Sequence, residues 1–150
     1  MSNHENYLAV EIHIVPADPE ARGRVRAALL DHGVEDDDGL LPDVPVGVFS
    51  RYFGDSDAPA SLAHALAAVP DTSFRLWTEE AQGEPGSLIA HVAGIGTFDG
   101  RCDRSGAVVV TEADAARLAA EPAAAERLRP LEEMTGSTLR SALADSARGA

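Results

Sequence analysis

The sequence predicts an α+β domain, built as a mixed or antiparallel β-sheet with helices on one face and a helical C-terminal extension. Three observations predict this class. One segment alternates as a strand does, two later segments space apolar residues as helices do, and a run of strand-like segments follows. A ferredoxin-like arrangement is one candidate within the class. We assign residues 1–121 to the α+β domain and residues 122–150 to a helical extension of the same domain.

The N-terminal part of the chain predicts a strand followed by a helix. Tyr7–Val15 alternates, so that the even-numbered apolar side chains share one face, and Glu11 and His13 share the other. Asp18, followed by a proline and a glutamate, is typical of a helix start. Gly33 is placed to end this helix in the left-handed conformation.

An irregular region comes next, over residues 34–57. Val46–Tyr52 predicts a short strand, and nearby prolines favour an edge position because proline cannot donate a ladder hydrogen bond. Asp57 and Pro59 predict the start of a second helix, and Pro70 predicts its end.

Three strand-like segments lie after this helix, at Thr72–Glu79, Leu88–Phe98 and Ala107–Val110. Asp103–Gly106 fits a turn with aspartate at its first position and glycine at its last. We therefore expect the second and third segments to form a hairpin.

The C-terminal part of the chain predicts helices. Thr111 is suited to cap a helix that runs to about Glu121, and Pro122 and Pro130 are expected to break the rest of the chain into short helices. Ser137–Ala147 carries an alanine-rich apolar stripe. This extension has three alternatives: it packs on the sheet, it lies on a partner, or it frays.

The net charge of −13 is unevenly distributed along the chain. The segment from Asp31 to Asp57 contains eight acidic residues and one basic residue, Arg51. Residues 122–150 contain four acidic residues and four arginines. A strongly acidic surface repels the phosphate backbone, so we expect no direct nucleic-acid binding and consider a basic protein partner compatible. The candidate partner-binding residues are Glu35, Asp36, Asp37, Asp38 and Asp43.

Several classes of protein and site are not expected. No apolar stretch approaches the roughly 18 residues of a membrane span, no export signal is visible, and the single cysteine, Cys102, excludes an internal disulfide. We therefore expect a cytoplasmic protein. The glycines of Gly94–Gly100 lack the spacing and the following helix of a dinucleotide site, and we interpret them as a strand bend or bulge. We expect no cofactor and no metal, since no histidine pair has the spacing of a helical zinc site.

One constellation of polar residues is a candidate catalytic site. Glu11 and His13 share a strand face, and His91 lies within another predicted strand. If the two strands are neighbours, these side chains meet on one face of the sheet, where a histidine acts as proton donor or ligand. The alternative is a half-exposed sheet face that tolerates polar side chains.

Three functions remain open. We favour a non-enzymatic accessory or adaptor domain that binds another protein, because no catalytic motif is evident and the acidic residues are localised. The second is an acidic nucleic-acid mimic that inhibits a nucleic-acid-binding protein. The third is an enzyme of unknown reaction that uses the Glu11, His13 and His91 face. Oligomeric state is not specified by the sequence.

Overall fold

The computed structural model describes residues 6–34, 41–53, 57–79, 85–121 and 123–148. These ranges hold five strands: β1 (Asn6–Ile14), β2 (Gly47–Phe53), β3 (Ser73–Thr78), β4 (Gly86–Val92) and β5 (Gly96–Cys102). They also hold five helices: α1 (Pro19–Asp31), α2 (Ala58–Ala67), α3 (Glu112–Ala120), α4 (Ala124–Thr135) and α5 (Ser137–Arg148).

The described strands form one sheet in the order β2-β1-β3-β4-β5, and each neighbouring pair is antiparallel. The predicted α+β class is confirmed, and β2 lies at an edge, as the prolines before it indicate. The chain order β-α-β-α-β-β-β departs from the β-α-β-β-α-β order of a ferredoxin-like domain. The ferredoxin-like arrangement that the sequence admitted is therefore not the one adopted.

The first face of the sheet carries α1 and α2. Alternate residues of β1 point toward them, because side chains of a strand alternate between faces. The core beneath these helices contains Leu8, Val10 and Ile12 of β1, Val25 and Leu29 of α1, and Leu62 and Leu66 of α2. The helix start at Asp18 is confirmed, since its carboxylate accepts the Ala21 backbone N–H at 3.0 Å.

The opposite face of the sheet carries α5. Leu139 and Leu143 of this helix lie in a second core with Leu88, Ala90 and Val92 of β4. Of the three alternatives for the C-terminal extension, α5 therefore adopts the first, packing on the sheet. The apolar stripe predicted for Ser137–Ala147 is the surface that it buries.

The segment Leu88–Phe98 is two strands, so its prediction as one strand is wrong. β4 ends at Val92, the Ile95 backbone N–H donates to the Val92 carbonyl at 3.0 Å, and β5 then returns antiparallel to β4. Gly94 has a φ of 80°, a left-handed conformation that favours glycine. Of the glycines that suggested a bend or bulge, Gly94 lies in the hairpin turn, and Gly96 and Gly100 lie in β5.

The hairpin predicted from Leu88–Phe98 and Ala107–Val110 is consequently wrong as well. The turn at Asp103–Gly106 is confirmed, with the Gly106 N–H donating to the Asp103 carbonyl at 3.1 Å. After the turn, however, the described chain makes only an isolated bridge between Val108 and Cys102, the last residue of β5. Ala107–Val110 therefore does not form a strand.

Pro130 does not break the chain into short helices, contrary to expectation, because α4 runs through it. A proline inside a helix removes one backbone hydrogen bond, and burial of the Pro130 ring offsets part of that loss. The other expected breaker, Pro122, lies outside the described residues. Within the described ranges, no helix has both the length and the apolar character required to cross a membrane.

Candidate functional site

The three candidate catalytic residues do not meet on one face. Ile12 pairs with Phe74, and Phe74 pairs with His91. Residues directly opposite each other in antiparallel strands share a face, so His91 lies on the first face, whereas Glu11 and His13 lie on the second. The expectation that His91 joins the other two is wrong, since β3 separates β1 from β4 and the register directs His91 the other way.

His91 is half-buried and contacts its strand neighbours. Its ring lies against Phe74, with ring centroids 5.6 Å apart, and its Nδ1 lies 2.7 Å from Oγ1 of Thr97. Burial lowers the pKa of His91, because a poorly solvated imidazole resists acquiring a charge.

Glu11 and His13 are brought together, and Arg75 of β3 joins them. Glu11 pairs with Arg75 across the β1–β3 ladder, and the Arg75 Nε–H donates to Oε2 of Glu11 at 2.8 Å. The other carboxylate oxygen, Oε1, lies 3.0 Å from Nε2 of His13. One carboxylate therefore contacts both an imidazole and a guanidinium.

His13 also ties this cluster to α5. Its side chain is only 9 % exposed, and its Nδ1 lies 3.2 Å from the Leu143 carbonyl oxygen. A carbonyl only accepts, so Nδ1 is the donor in this contact. The angles at Nε2 are not those of a hydrogen bond, and Nε2 is buried with no hydrogen-bond partner among the described residues. The ring is thus fixed between β1 and α5.

Arg75 is held from a second direction by an aromatic ring. Its guanidinium carbon lies 4.7 Å from the centroid of the Trp77 ring, a cation–π geometry. Together with the Glu11 contact, this stacking fixes the plane of the guanidinium. The Nη atoms of Arg75 have no hydrogen-bond or ion-pair partner within the described part of the chain.

A cavity of about 400 Å³ opens between these strands and α5. Its walls come from β1, β3 and α5, and are formed by Glu11, His13, Arg75, Arg140, Leu143 and Ala144. Arg140 reaches it from α5, with its Nε–H donated to the Thr135 carbonyl at 2.7 Å. We call this the sheet–helix cavity.

Sequence reasoning found two of the cavity's polar residues and missed two. The alternation of β3 places Arg75 on the face opposite Phe74, which was a usable signal, but only the strand order shows that this face meets Glu11. Arg140 comes directly after Leu139, which belongs to the buried stripe of α5. Nothing in the local sequence indicates which strand Arg140 approaches.

A second surface of interest lies along the edge strand β2. Tyr52 and Val48 are 63 % and 60 % exposed, and Val44 and Val46, just before the strand, are about half exposed. Val48 pairs with Glu11 and Tyr52 with Tyr7, so both lie on the second face of the sheet, on the α5 side. We call Val44, Val46, Val48 and Tyr52 the β2 strip.

The predicted partner-binding acids are only partly described. Glu35, Asp36, Asp37 and Asp38 lie outside the described residues, and Asp43 is exposed in a bend before β2. Within the described ranges, no group of three histidine, cysteine, aspartate or glutamate side chains is arranged to hold a metal ion.

Comparison with known proteins places the chain in a family. Neither the curated proteins nor the solved structures include a match to it. A family model described as "Protein of unknown function (DUF3145)" matches residues 48–148, about two thirds of the chain. That span contains Arg75 and Arg140 of the sheet–helix cavity and most of β2, and it begins after Glu11 and His13. The chain therefore belongs to the DUF3145 family of proteins of unknown function.

Proposed function

We propose that this chain is a protein-binding domain and that its contact surface is the β2 strip. The observation that carries the proposal is the exposure of four apolar side chains in a stretch of nine residues, Val44–Tyr52. Single exposed apolar residues are ordinary, whereas several exposed apolar side chains close together favour a protein interaction site.

The position of the strip at a sheet edge supports the same function. β2 pairs with β1 on one side, and no other described strand pairs with its outer side. An edge strand of this kind can accept an added strand, with backbone hydrogen bonds giving affinity and alternate side chains giving specificity. Val48 and Tyr52 are the alternate side chains that would contact such a partner.

Charge favours the kind of partner. The protein carries a net charge of −13, and the exposed carboxylate of Asp43 lies beside Val44. A partner strand flanked by lysine or arginine would therefore be attracted to this edge, and charge complementarity acts chiefly on association rate and specificity.

Site-specific photo-crosslinking tests the proposal. A photo-reactive phenylalanine analogue at Val48 is compared with the same analogue at Ile95, which is 61 % exposed in the β4–β5 turn. In extracts of the host cell, Val48 is expected to give a discrete crosslinked protein and Ile95 is not. Equal crosslinking from both positions would contradict the proposal, as would a Val48 product that contains only a second copy of this chain.

Charged substitutions identify which feature the partner uses. Val48→Asp and Tyr52→Arg should each weaken capture of the crosslinked partner by about tenfold or more, with an unchanged circular dichroism spectrum. The alternative function, an acidic nucleic-acid mimic, predicts instead that changing Asp36, Asp37 and Asp38 to asparagine abolishes capture of a nucleic-acid-binding protein. Deletion of residues 122–150 is a poor test, because it would expose the core beneath α5.

A further inference from the structure

We propose that the sheet–helix cavity binds a small organic molecule through a single carboxylate group, held by Arg75 and Arg140. The site is separate in function from the β2 strip, and its test requires no protein partner.

The geometry of Arg75 is that of a prepared anion-binding group. Its Nε–H is occupied by Glu11, and its flat face lies on Trp77. These two contacts fix the guanidinium while leaving both Nη atoms without a partner among the described residues. Arginine in a fixed plane presents paired donors that match the two oxygens of a carboxylate.

Arg140 supplies a second guanidinium from α5. Its Nε–H donates to Thr135 at the end of α4, which anchors the side chain beside the cavity. Both arginines line the same cavity of about 400 Å³. Two like charges in one partly buried space repel each other, and an anion bound between them removes that repulsion.

The charge of the cavity indicates a monovalent anion. Arg75 and Arg140 contribute two positive charges and Glu11 contributes one negative charge, so these three groups together carry one net positive charge. A carboxylate balances this charge, whereas a phosphate monoester carries nearly two negative charges at neutral pH. The Glu11 carboxylate lies at the same site and would repel the second negative charge of the phosphate.

The remaining walls indicate the rest of the ligand. Leu143 and Ala144 give the cavity an apolar side, and small-molecule sites typically combine apolar walls with a few fixed polar groups. The ligand we infer therefore has a compact apolar body and one carboxylate, and benzoate is a suitable probe.

Titration with benzoate, followed by nuclear magnetic resonance, tests the proposal. Trp77 is the only tryptophan, so its indole N–H gives a single signal directly beneath Arg75. Benzoate should shift this signal saturably at millimolar or lower concentrations. The uncharged isostere benzamide should shift it weakly, and inorganic phosphate should bind less tightly than benzoate. No saturable shift with benzoate, equal binding of benzamide, or tighter binding of phosphate would each overturn the proposal.

Charge-removing variants locate the binding. Arg75→Gln and Arg140→Gln should each weaken benzoate binding about tenfold or more, because each removes a charged hydrogen-bond donor. Arg101→Gln is the matched control, since Arg101 is exposed on the opposite face of the sheet, and it should change binding less than about twofold. Arg140→Gln leaves the Glu11 contacts intact, so it is informative even where Arg75→Gln perturbs the fold. Equal weakening by all three variants would indicate nonspecific attraction and overturn the site.

Discussion

Gly136 directly faces the aromatic ring of Phe98 where α4 meets α5. A Cβ atom added to Gly136 would lie 2.3 Å from Cγ of Phe98, well inside van der Waals contact. Gly136 also has a φ of 59° and donates its N–H to the Glu132 carbonyl at 2.7 Å. The absence of a side chain therefore lets the α4–α5 junction close onto the sheet.

The variant Gly136→Ala should be strongly destabilised. It combines the cost of a left-handed alanine, about 1–2 kcal/mol, with overpacking against Phe98, about 1–3 kcal/mol. Urea denaturation measures the change in the free energy of unfolding. Gly23→Ala is the control, because its added Cβ would meet nothing within 4 Å in the exposed middle of α1. The free energy of unfolding of Gly23→Ala should rise by about 0.5–1 kcal/mol.

Leu143→Ala tests whether α5 is part of the folded core. Leu143 is 2 % exposed, so removal of its side chain should lower the free energy of unfolding by about 2–4 kcal/mol. Leu128 of α4 is 66 % exposed, so the control Leu128→Ala should change the free energy of unfolding by less than about 0.5 kcal/mol. Thermal unfolding of both variants makes the comparison. Indistinguishable variants would mean that α5 does not pack on the sheet in solution.

Cys102 should react slowly with thiol reagents in the folded protein. Burial, assisted by the Asp103 carboxylate and opposed by Arg75, raises the pKa of the Cys102 thiol to about 11. The thiolate is the reactive form, and the fully buried sulfur lies 3.6 Å from the Thr78 carbonyl, to which the thiol donates. Reaction with a coloured disulfide reagent at about pH 8 should accelerate strongly when urea is added. Equal rates with and without urea would contradict this burial.

The same thiol makes stability sensitive to alkaline pH. The pKa of Cys102 is higher in the folded chain than in the unfolded chain, where it is about 8.5, so the folded state retains its proton longer. Its contribution is intact below about pH 8.5 and is lost as the pH rises toward the folded value. Between about pH 8.5 and the folded pKa of about 11, Cys102→Ala should therefore lose less stability than the original protein. Urea unfolding midpoints at successive pH values measure this difference.

Glu132 should make stability sensitive to acid. Its carboxylate accepts hydrogen bonds from the Thr138 backbone N–H and from the Ser137 hydroxyl at the start of α5. These bonds, that from Thr138 most of all, hold the pKa of Glu132 below its ordinary value. A depressed pKa contributes stability above the unfolded value, about 4.3, and that stability is lost as the pH falls through the folded value. Glu132→Gln should flatten this part of the acid profile of the melting temperature. Glu126→Gln, on an exposed residue of α4, should leave it unchanged.

Elements with local signals could be predicted from the sequence. β1 alternates as far as Ile12, where its pairing with β3 shifts register. The start of α1 at Asp18 and its left-handed end at Gly33 are each determined by residues within a few positions. The same holds for the cap of α3, where Thr111 accepts the Asp114 N–H at 3.1 Å. Such signals require no knowledge of the rest of the fold.

Features that depend on register could not be predicted. The position of His91 relative to Glu11 and His13 could be stated only on the condition that their strands are neighbours. A strand's alternation defines two faces but not which neighbour each one meets, and a one-residue shift exchanges them. The β4–β5 turn was missed because Val92–Gly96 contains only apolar and glycine residues. The cavity needed both the strand order, which places Arg75 beside Glu11, and the docking of α5, which brings Arg140.

The contact between His13 and the Leu143 carbonyl joins positions 130 residues apart. During synthesis, β1 therefore leaves the ribosome long before α5 has been made. Until then the apolar side chains of β4 that pack beneath Leu139 remain exposed to water. Nascent chains in this state are prone to aggregate. Cellular yield should accordingly depend on how quickly translation proceeds from β4 to α5.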